Sequence, residues 1–150
     1  MRVTKRANIA IRLLMFCGSN PGRMVTKAEI AERCNTSESH LAQVINKLAQ
    51  LGFLHTQRGR HGGVMLGRAM SAITVGEVFR AIEAKTPVAE CFADADNTCP
   101  LVDACRLRLA LSDAVEAFYA HLDEITLDAL VCGNAALFEI FSAPACMNRA

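Results

Sequence analysis

Thr26-Lys-Ala-Glu-Ile-Ala-Glu-Arg-Cys-Asn-Thr-Ser37, continuing as Glu38-Ser-His-Leu-Ala-Gln-Val-Ile-Asn-Lys-Leu-Ala-Gln-Leu-Gly52, is the stretch on which the fold turns. Thr26 and Glu29 have the spacing of a capping box: the hydroxyl accepts from a free first-turn amide while the carboxylate reaches back. Val25 and Ile30 flank the box as a hydrophobic staple, and the helix they open runs to about Arg33. After the short Cys34–Ser37 turn, Leu41, Val44, Ile45, Leu48 and Leu51 recur at helical intervals up to Gly52. Two short helices joined by a tight turn, the second of them amphipathic, make a helix-turn-helix pattern.

The flanks extend this pattern. Upstream, Ile9, Leu13 and Phe16 with Ala10, Leu14 and Cys17 predict a helix over residues 4–17, with Arg6 and Arg12 outside the apolar stripe. Gly18-Ser-Asn-Pro-Gly22 then marks a turn. Downstream, two short β-type stretches between Phe53 and Gly67 flank Arg58-Gly-Arg-His-Gly-Gly63, whose glycines suit a hairpin turn. Arg58, Arg60, His61 and Arg68 gather around that hairpin. The glycines do not make a P-loop, because no Gly-Lys-Ser/Thr follows them. The expected fold class is mainly α with a small β-hairpin: a winged helix-turn-helix followed by a long dimerisation helix.

Charge points the same way. Residues 1–68 hold eleven Lys/Arg against three Glu, a net +8, whereas residues 69–150 hold five against twelve acidic residues, a net −7. A basic half suits a polyanion and an acidic half repels one. Ser39, His40, Gln43, Asn46 and Lys47, with Gln50, lie off the apolar stripe of the third helix, where small, amide and basic side chains can reach base edges and phosphates. On the wing, Arg58, Arg60 and His61 can reach phosphates or the minor groove. The expected partner is a double-stranded DNA operator.

The acidic half opens on a second Thr-x-x-Glu box, Thr74 to Glu77, on a helix that ends near Lys85 before Thr86-Pro87. After the polar stretch Glu90–Thr98, a long helix carries Leu107, Leu111, Ala114/Val115, Phe118 and Leu122 at steps of three and four, the spacing of a seam for a partner helix. A last helix is expected from Thr126, followed by a loose tail from Ser142. With 150 residues, 52% of them hydrophobic, the chain can bury one domain-sized core. No apolar run approaches the roughly 18 residues of a membrane span, and Met1–Asn8 has no secretory pattern, so a cytoplasmic, non-membrane protein is expected.

Seven cysteines remain to be placed: 17, 34, 91, 99, 105, 132 and 146. An odd number without an export signal does not form a disulfide framework. Cys91, Cys99 and Cys105 are spaced C-x7-C-x5-C across the polar loop and the head of the long helix. Three thiolates there can converge on an iron–sulfur cluster or a zinc ion, or stay unliganded as a thiol switch. Cys17, Cys34, Cys132 and Cys146 read as packing or incidental residues. The absence of a C-x-x-C motif and of a Cys–His pair speaks against a thiol enzyme.

Met1-Arg-Val-Thr-Lys5, the hairpin Arg58-Gly-Arg-His-Gly-Gly-Val-Met-Leu66, Glu90-Cys-Phe92 and Cys99-Pro-Leu-Val-Asp-Ala-Cys-Arg-Leu107 together carry a family likeness. The chain resembles the winged-helix iron–sulfur regulators of the IscR, NsrR and RirA type over nearly its whole length, to about Phe141. The seven-residue first gap and Asn8 look most like the rhizobial iron regulator RirA. The resemblance implies a homodimeric DNA-binding repressor with crossed long helices and an iron–sulfur cluster (4Fe–4S rather than 2Fe–2S) on Cys91, Cys99 and Cys105. It implies no enzymatic activity, and a signal of iron, nitric oxide or redox state. It also divides the chain into a winged helix-turn-helix over 1–68 and a cluster loop with dimerisation helices over 69–150. IscR-like members place a His just after the third cysteine, where Arg106, Leu107 and Arg108 stand here; the fourth ligand is left to Asp94, Asp96, Asp103, water or a small thiol.

Overall fold

The computed structural model describes residues 3–83, 87–93 and 97–142. Asp94, Asp96, Cys146, the expected helix end at Lys85 and the loose tail beyond Ser142 lie outside the described residues.

Helix α1 (Lys5–Gly18) starts where the Thr4 hydroxyl accepts from the Ala7 amide at 3.2 Å. Ala7, Ile9, Ala10, Leu13, Leu14, Phe16 and Cys17 are all buried, a wider apolar surface than one stripe. That makes α1 the central helix, since an element apolar on most sides needs neighbours on most sides. Helix α2 (Lys27–Arg33) carries the complete capping box: the Glu29 amide donates to Thr26 Oγ1 at 3.2 Å, and the Thr26 amide to Glu29 Oε2 at 2.7 Å. Asn35 turns the chain at φ +48°, a left-handed conformation that Asn tolerates, and α3 (Glu38–Gln50) begins on the Ser37 cap. Gly52 ends it at φ +78°.

Strands β1 (Leu54–Gln57) and β2 (Gly63–Leu66) pair antiparallel, Leu54 opposite Leu66 and Gln57 opposite Gly63. Val25 joins them by a two-bond bridge to Val64, which ties the wing to the entrance of α2. The β1–β2 turn depends on its glycines: Gly59 has φ +107°, and a Cβ on Gly62 would collide with the Gln57 carbonyl.

A 3-10 turn (Met70–Ala72) leads to α4 (Val75–Glu83), which lies between α1 and α5 (Arg106–Asp123). Gly76 allows the close approach of α4 to the end of α5, because a side chain there would strike Asp123. Arg80 reaches across to both oxygens of Asp123 at 2.6 Å and lies over the Tyr119 ring, 4.8 Å from its centroid. The second Thr-x-x-Glu box is only half formed. The Glu77 amide donates to Thr74 Oγ1, but the Glu77 carboxylate accepts from Arg68 instead of reaching back to Thr74.

The expected single last helix is two: α6 (Leu127–Val131) and α7 (Ala135–Ser142). Gly133 at φ +73° interrupts them, and Asn134 Oδ1 caps the second by accepting from the Leu137 amide. Phe141 then packs edge-on against Phe16, their centroids 5.1 Å apart. Ile73, Val78, Leu127 and Val131 belong to the same buried cluster as the residues of α1 and α3, so the core continues past residue 68. In contrast, α5 buries no residue fully, and Leu107 and Leu109 are each 66% exposed. No helix among the described residues is long and apolar enough to cross a membrane.

Candidate nucleic-acid interface and cysteine site

Helix α3 sorts its residues as the periodicity requires, except that Leu51, expected on the apolar stripe, falls at the C-cap and is 40% exposed. Leu41, Val44, Ile45 and Leu48 are buried, and Ser39, His40, Gln43, Asn46 and Lys47 are all exposed on the opposite surface. Its head is ordered by a local network in which Ser37 Oγ lies 3.0 Å from His40 Nδ1 and 3.3 Å from Ser39 Oγ. When Ser37 donates to Nδ1, the neutral imidazole carries its proton on Nε2, leaving that nitrogen a donor. Gln43 is held from α1: Arg6 Nη2 donates to Gln43 Oε1 at 3.1 Å. Arg6 has no periodic or motif signal that would reveal this role in the sequence.

On the wing, Arg58, Arg60 and His61 are exposed at the tip. Arg68, expected to join them, turns inward. It pairs with Glu77 at 2.9 Å and stacks over Phe53, 4.4 Å from the ring centroid, so its charge is spent within the fold. What remains among the described residues is an exposed α3 face of polar and basic side chains and a basic wing tip, chemically suited to phosphates and base edges.

Cys91 lies in a 3-10 turn (Glu90–Phe92), Cys99 in the following loop and Cys105 at the cap of α5. All three thiols are free and half-buried. Among the described residues no three His, Cys, Asp or Glu side chains converge on one metal-sized point, these thiols included. The segments are nevertheless joined: Arg108 Nε donates to the Cys91 carbonyl at 3.2 Å, and its guanidinium lies over the Phe92 ring at 5.5 Å. A shallow cavity of about 240 Å³ opens beside Cys105, lined by Val102, Asp103, Arg106, Arg108 and Leu109. Three soft sulfur donors in one short stretch, with two guanidinium groups nearby to offset thiolate charge, fit an iron–sulfur group chemically. Asn8, on the first turns of α1, is exposed and offers only a neutral amide.

Cys17 and Cys34 differ from that trio. Both are buried in the helix-turn-helix core. Burial, helped by the neighbouring Cys34, pushes the Cys17 thiol up to about 12, and burial pushes Cys34 up to about 11. They are packing residues held protonated, Cys17 on the apolar stripe of α1 and Cys34 at the turn that follows α2.

Residues 3–133 match the model of the Rrf2 family, described as iron-dependent transcriptional regulators. The chain belongs to the Rrf2 family. Among curated relatives it is 41% identical over 131 residues to Protein aau3 of Rhizobium meliloti (strain 1021), covering 87% of this chain and 85% of that one. It is 38% identical over 138 residues to the HTH-type transcriptional regulator NsrR of Geobacillus kaustophilus (strain HTA426), covering 91% and 94%. Among solved structures it is similar to CymR (YrzC), the global cysteine regulator of B. subtilis, with a TM-score of 0.64 and 25% identity over 87% of this chain and 96% of that one. T. potens IscR shares the fold, with a TM-score of 0.68 at 22% identity over 87% and 85%. As an Rrf2 protein the chain is a DNA-binding transcriptional regulator and not an enzyme. The winged-helix resemblance read from the sequence is therefore correct.

Proposed function

We propose that this Rrf2 protein is a cytoplasmic, homodimeric repressor that senses iron, nitric oxide or redox state through an iron–sulfur cluster on Cys91, Cys99 and Cys105. Residues 1–68 carry the DNA contacts, and residues 69–150 carry sensing and pairing. Ser39, His40, Gln43, Asn46 and Lys47 enter the major groove, while Arg58, Arg60 and His61 of the wing meet phosphates or the minor groove. The observation that carries the sensing role is the trio of free, half-buried thiols between α4 and α5, two of whose segments are already joined by Arg108.

Cys91, Cys99 and Cys105 would hold a cluster of the 4Fe–4S type, which would supply a link between the Cys91 turn and the head of α5 that is sensitive to iron loss, nitric oxide and oxidation. The chain's own residues carry the consequence. Glu83, at the end of α4, accepts from the Thr4 amide at 2.7 Å and so holds the entrance of α1. A Cys91 turn tied to α5 keeps the end of α4 and the start of α1 in one arrangement. Released, that turn keeps its contact with Arg108. In a dimer joined along α5, a shift at α1 alters the separation of the two α3 helices, which a two-fold operator requires at about one DNA turn, roughly 34 Å. The two arrangements must differ in DNA affinity for this to regulate.

The same three accessible thiols also favour a second reading, a cluster-free disulfide or zinc switch. Anaerobic purification separates the two. The first expects iron, sulfide and broad visible absorbance, and the second a colourless protein with zinc or reversible thiol oxidation. Cys99→Ala should abolish the absorbance while leaving the dimer folded, and operator binding should change on chelation or nitric oxide exposure. A Cys99→Ala protein that keeps both its colour and its regulated binding refutes the ligand assignment.

A further inference from the structure

We infer that Arg6 biases the base preference of the recognition helix by orienting the amide of Gln43, so that this position favours guanine over adenine. The inference rests on α3 being the base-reading helix. A guanidinium has N–H donors and no acceptor, so the Gln43 atom that meets Arg6 Nη2 at 3.1 Å must be the carbonyl oxygen. The amide NH2 is thereby turned away from Arg6, on the surface shared with Ser39, His40, Asn46 and Lys47.

The lock has a fixed base. Arg6 is the second residue of α1, whose first turn is held by the Thr4 cap and, through the Thr4 amide, by buried Glu83. A cation at a helix N-terminus opposes the helix dipole, and no acidic residue of the first turn offsets it, so Arg6 does nothing for α1 itself. Among the described residues it forms no ion pair, and its remaining N–H groups stay available.

A free glutamine reads adenine by using both ends of its amide: the oxygen accepts from N6 while the nitrogen donates to N7. With one of the two lone pairs of its oxygen taken by Arg6, Gln43 presents both amide donors beside a partly occupied acceptor, and Arg6 adds further donors. In the major groove, guanine offers two adjacent acceptors, N7 and O6, whereas adenine sets its N6 donor against this pair. Exclusion of water at the groove strengthens the Arg6–Gln43 bond at the moment it is needed.

The test is selection from a pool of random-sequence duplexes at one fixed salt concentration, using the anaerobic full-length protein and its variants. The wild type is expected to enrich guanine over adenine by on the order of tenfold or more at one position in each half-site. Arg6→Ala should bring that single ratio close to parity and leave the other positions unchanged, while Arg6→Lys, another pure donor, should retain the preference. Gln43→Glu, which can only accept, should move the position toward cytosine, whose N4 donates. The lock is refuted if Arg6→Ala weakens all sequences alike with unchanged preferences and a salt slope lowered by about one, the mark of a phosphate contact. It is equally refuted if the wild type selects adenine there. A Gln43→Ala protein with every base preference intact overturns the base-reading role of this α3 face itself, a separate failure. Arg6 and Gln43 are exposed, so unchanged circular dichroism is expected for each variant.

Discussion

The Thr4 amide donates to Glu83 Oε1 at 2.7 Å, joining the first residue of the α1 cap to the last residue of α4 across 79 positions of sequence. Among the described residues Glu83 is the one buried charged side chain, 8% exposed, and its carboxylate is one place where the basic and acidic halves meet. The bond fastens the end of α4 to the start of α1, the helix whose Arg6 holds Gln43 of α3.

Removing that acceptor should cost more than removing a surface charge. Glu83→Leu leaves the Thr4 amide without its partner, a loss of about 1–3 kcal/mol, while Glu83→Gln keeps an accepting oxygen and should lose less. Urea midpoints of the two variants check this; equal midpoints would mean that the Thr4 bond contributes nothing.

Arg108 is expected to hold the Cys91 turn on α5 without being a ligand. Arg108→Ala should leave the thermal midpoint of the cluster-free protein within about 2 °C, because exposed contacts contribute little. It should shorten the lifetime of the visible absorbance in air several-fold, since the Cys91 carbonyl loses its donor. Absorbance decay followed side by side with wild type is the measurement, and identical decay contradicts the expectation.

The buried and exposed thiols should separate by reactivity and by pH. In cluster-free native protein, iodoacetamide should modify the accessible Cys91, Cys99, Cys105 and Cys132 and spare the buried Cys17 and Cys34, as peptide masses will report. The folded pKa values of Cys17 and Cys34, about 12 and 11, are raised above 9.0, so the fold favours the protonated thiols. That contribution is full below pH 9.0 and is lost as pH rises toward 11 and 12. The urea midpoint should therefore fall over that alkaline window in wild type and less steeply in a Cys17→Ala, Cys34→Ala double variant.

Leu107 is 66% exposed at the head of α5, on the face that continues through Leu111, Val115 and Phe118. Leu107→Glu removes almost no buried area from the single chain, but it places a charge in the proposed helix–helix seam. Sedimentation should show a shift from dimer to monomer with helical content unchanged. A variant that stays fully dimeric would move the pairing surface elsewhere.

Much of the architecture is legible before any coordinates. The Thr26–Glu29 box, the Ser37 turn, the Leu41–Leu48 stripe and the glycines of the wing act within a few residues, and each falls where its spacing puts it. The exposed face of α3 follows from the same periodicity. Two local readings were incomplete for identifiable reasons. Glu77 has the spacing of a capping box, but Arg68 offers its carboxylate a charged partner, and the reciprocal bond does not form. The last helix has helical composition throughout, yet Gly133 at φ +73° breaks it, with Asn134 ready to cap a new start.

Sequence alone therefore determined the order of elements, the helix-turn-helix and wing, the apolar stripes, and the cysteine trio with its family likeness, because caps, turns and periodicity are short-range and leave a pattern in the chain. Tertiary structure alone decided which polar side chains meet: Arg6 with Gln43, Thr4 with Glu83, Arg80 with Asp123, Arg108 with the Cys91 carbonyl, and Arg68 turned from the wing into the fold. Such pairs bridge 9 to 79 positions and obey no spacing rule. An arginine's sequence neighbours do not reveal its partner, which depends on how the buried faces of α1, α3, α4 and α5 pack and bring distant polar groups within hydrogen-bonding reach.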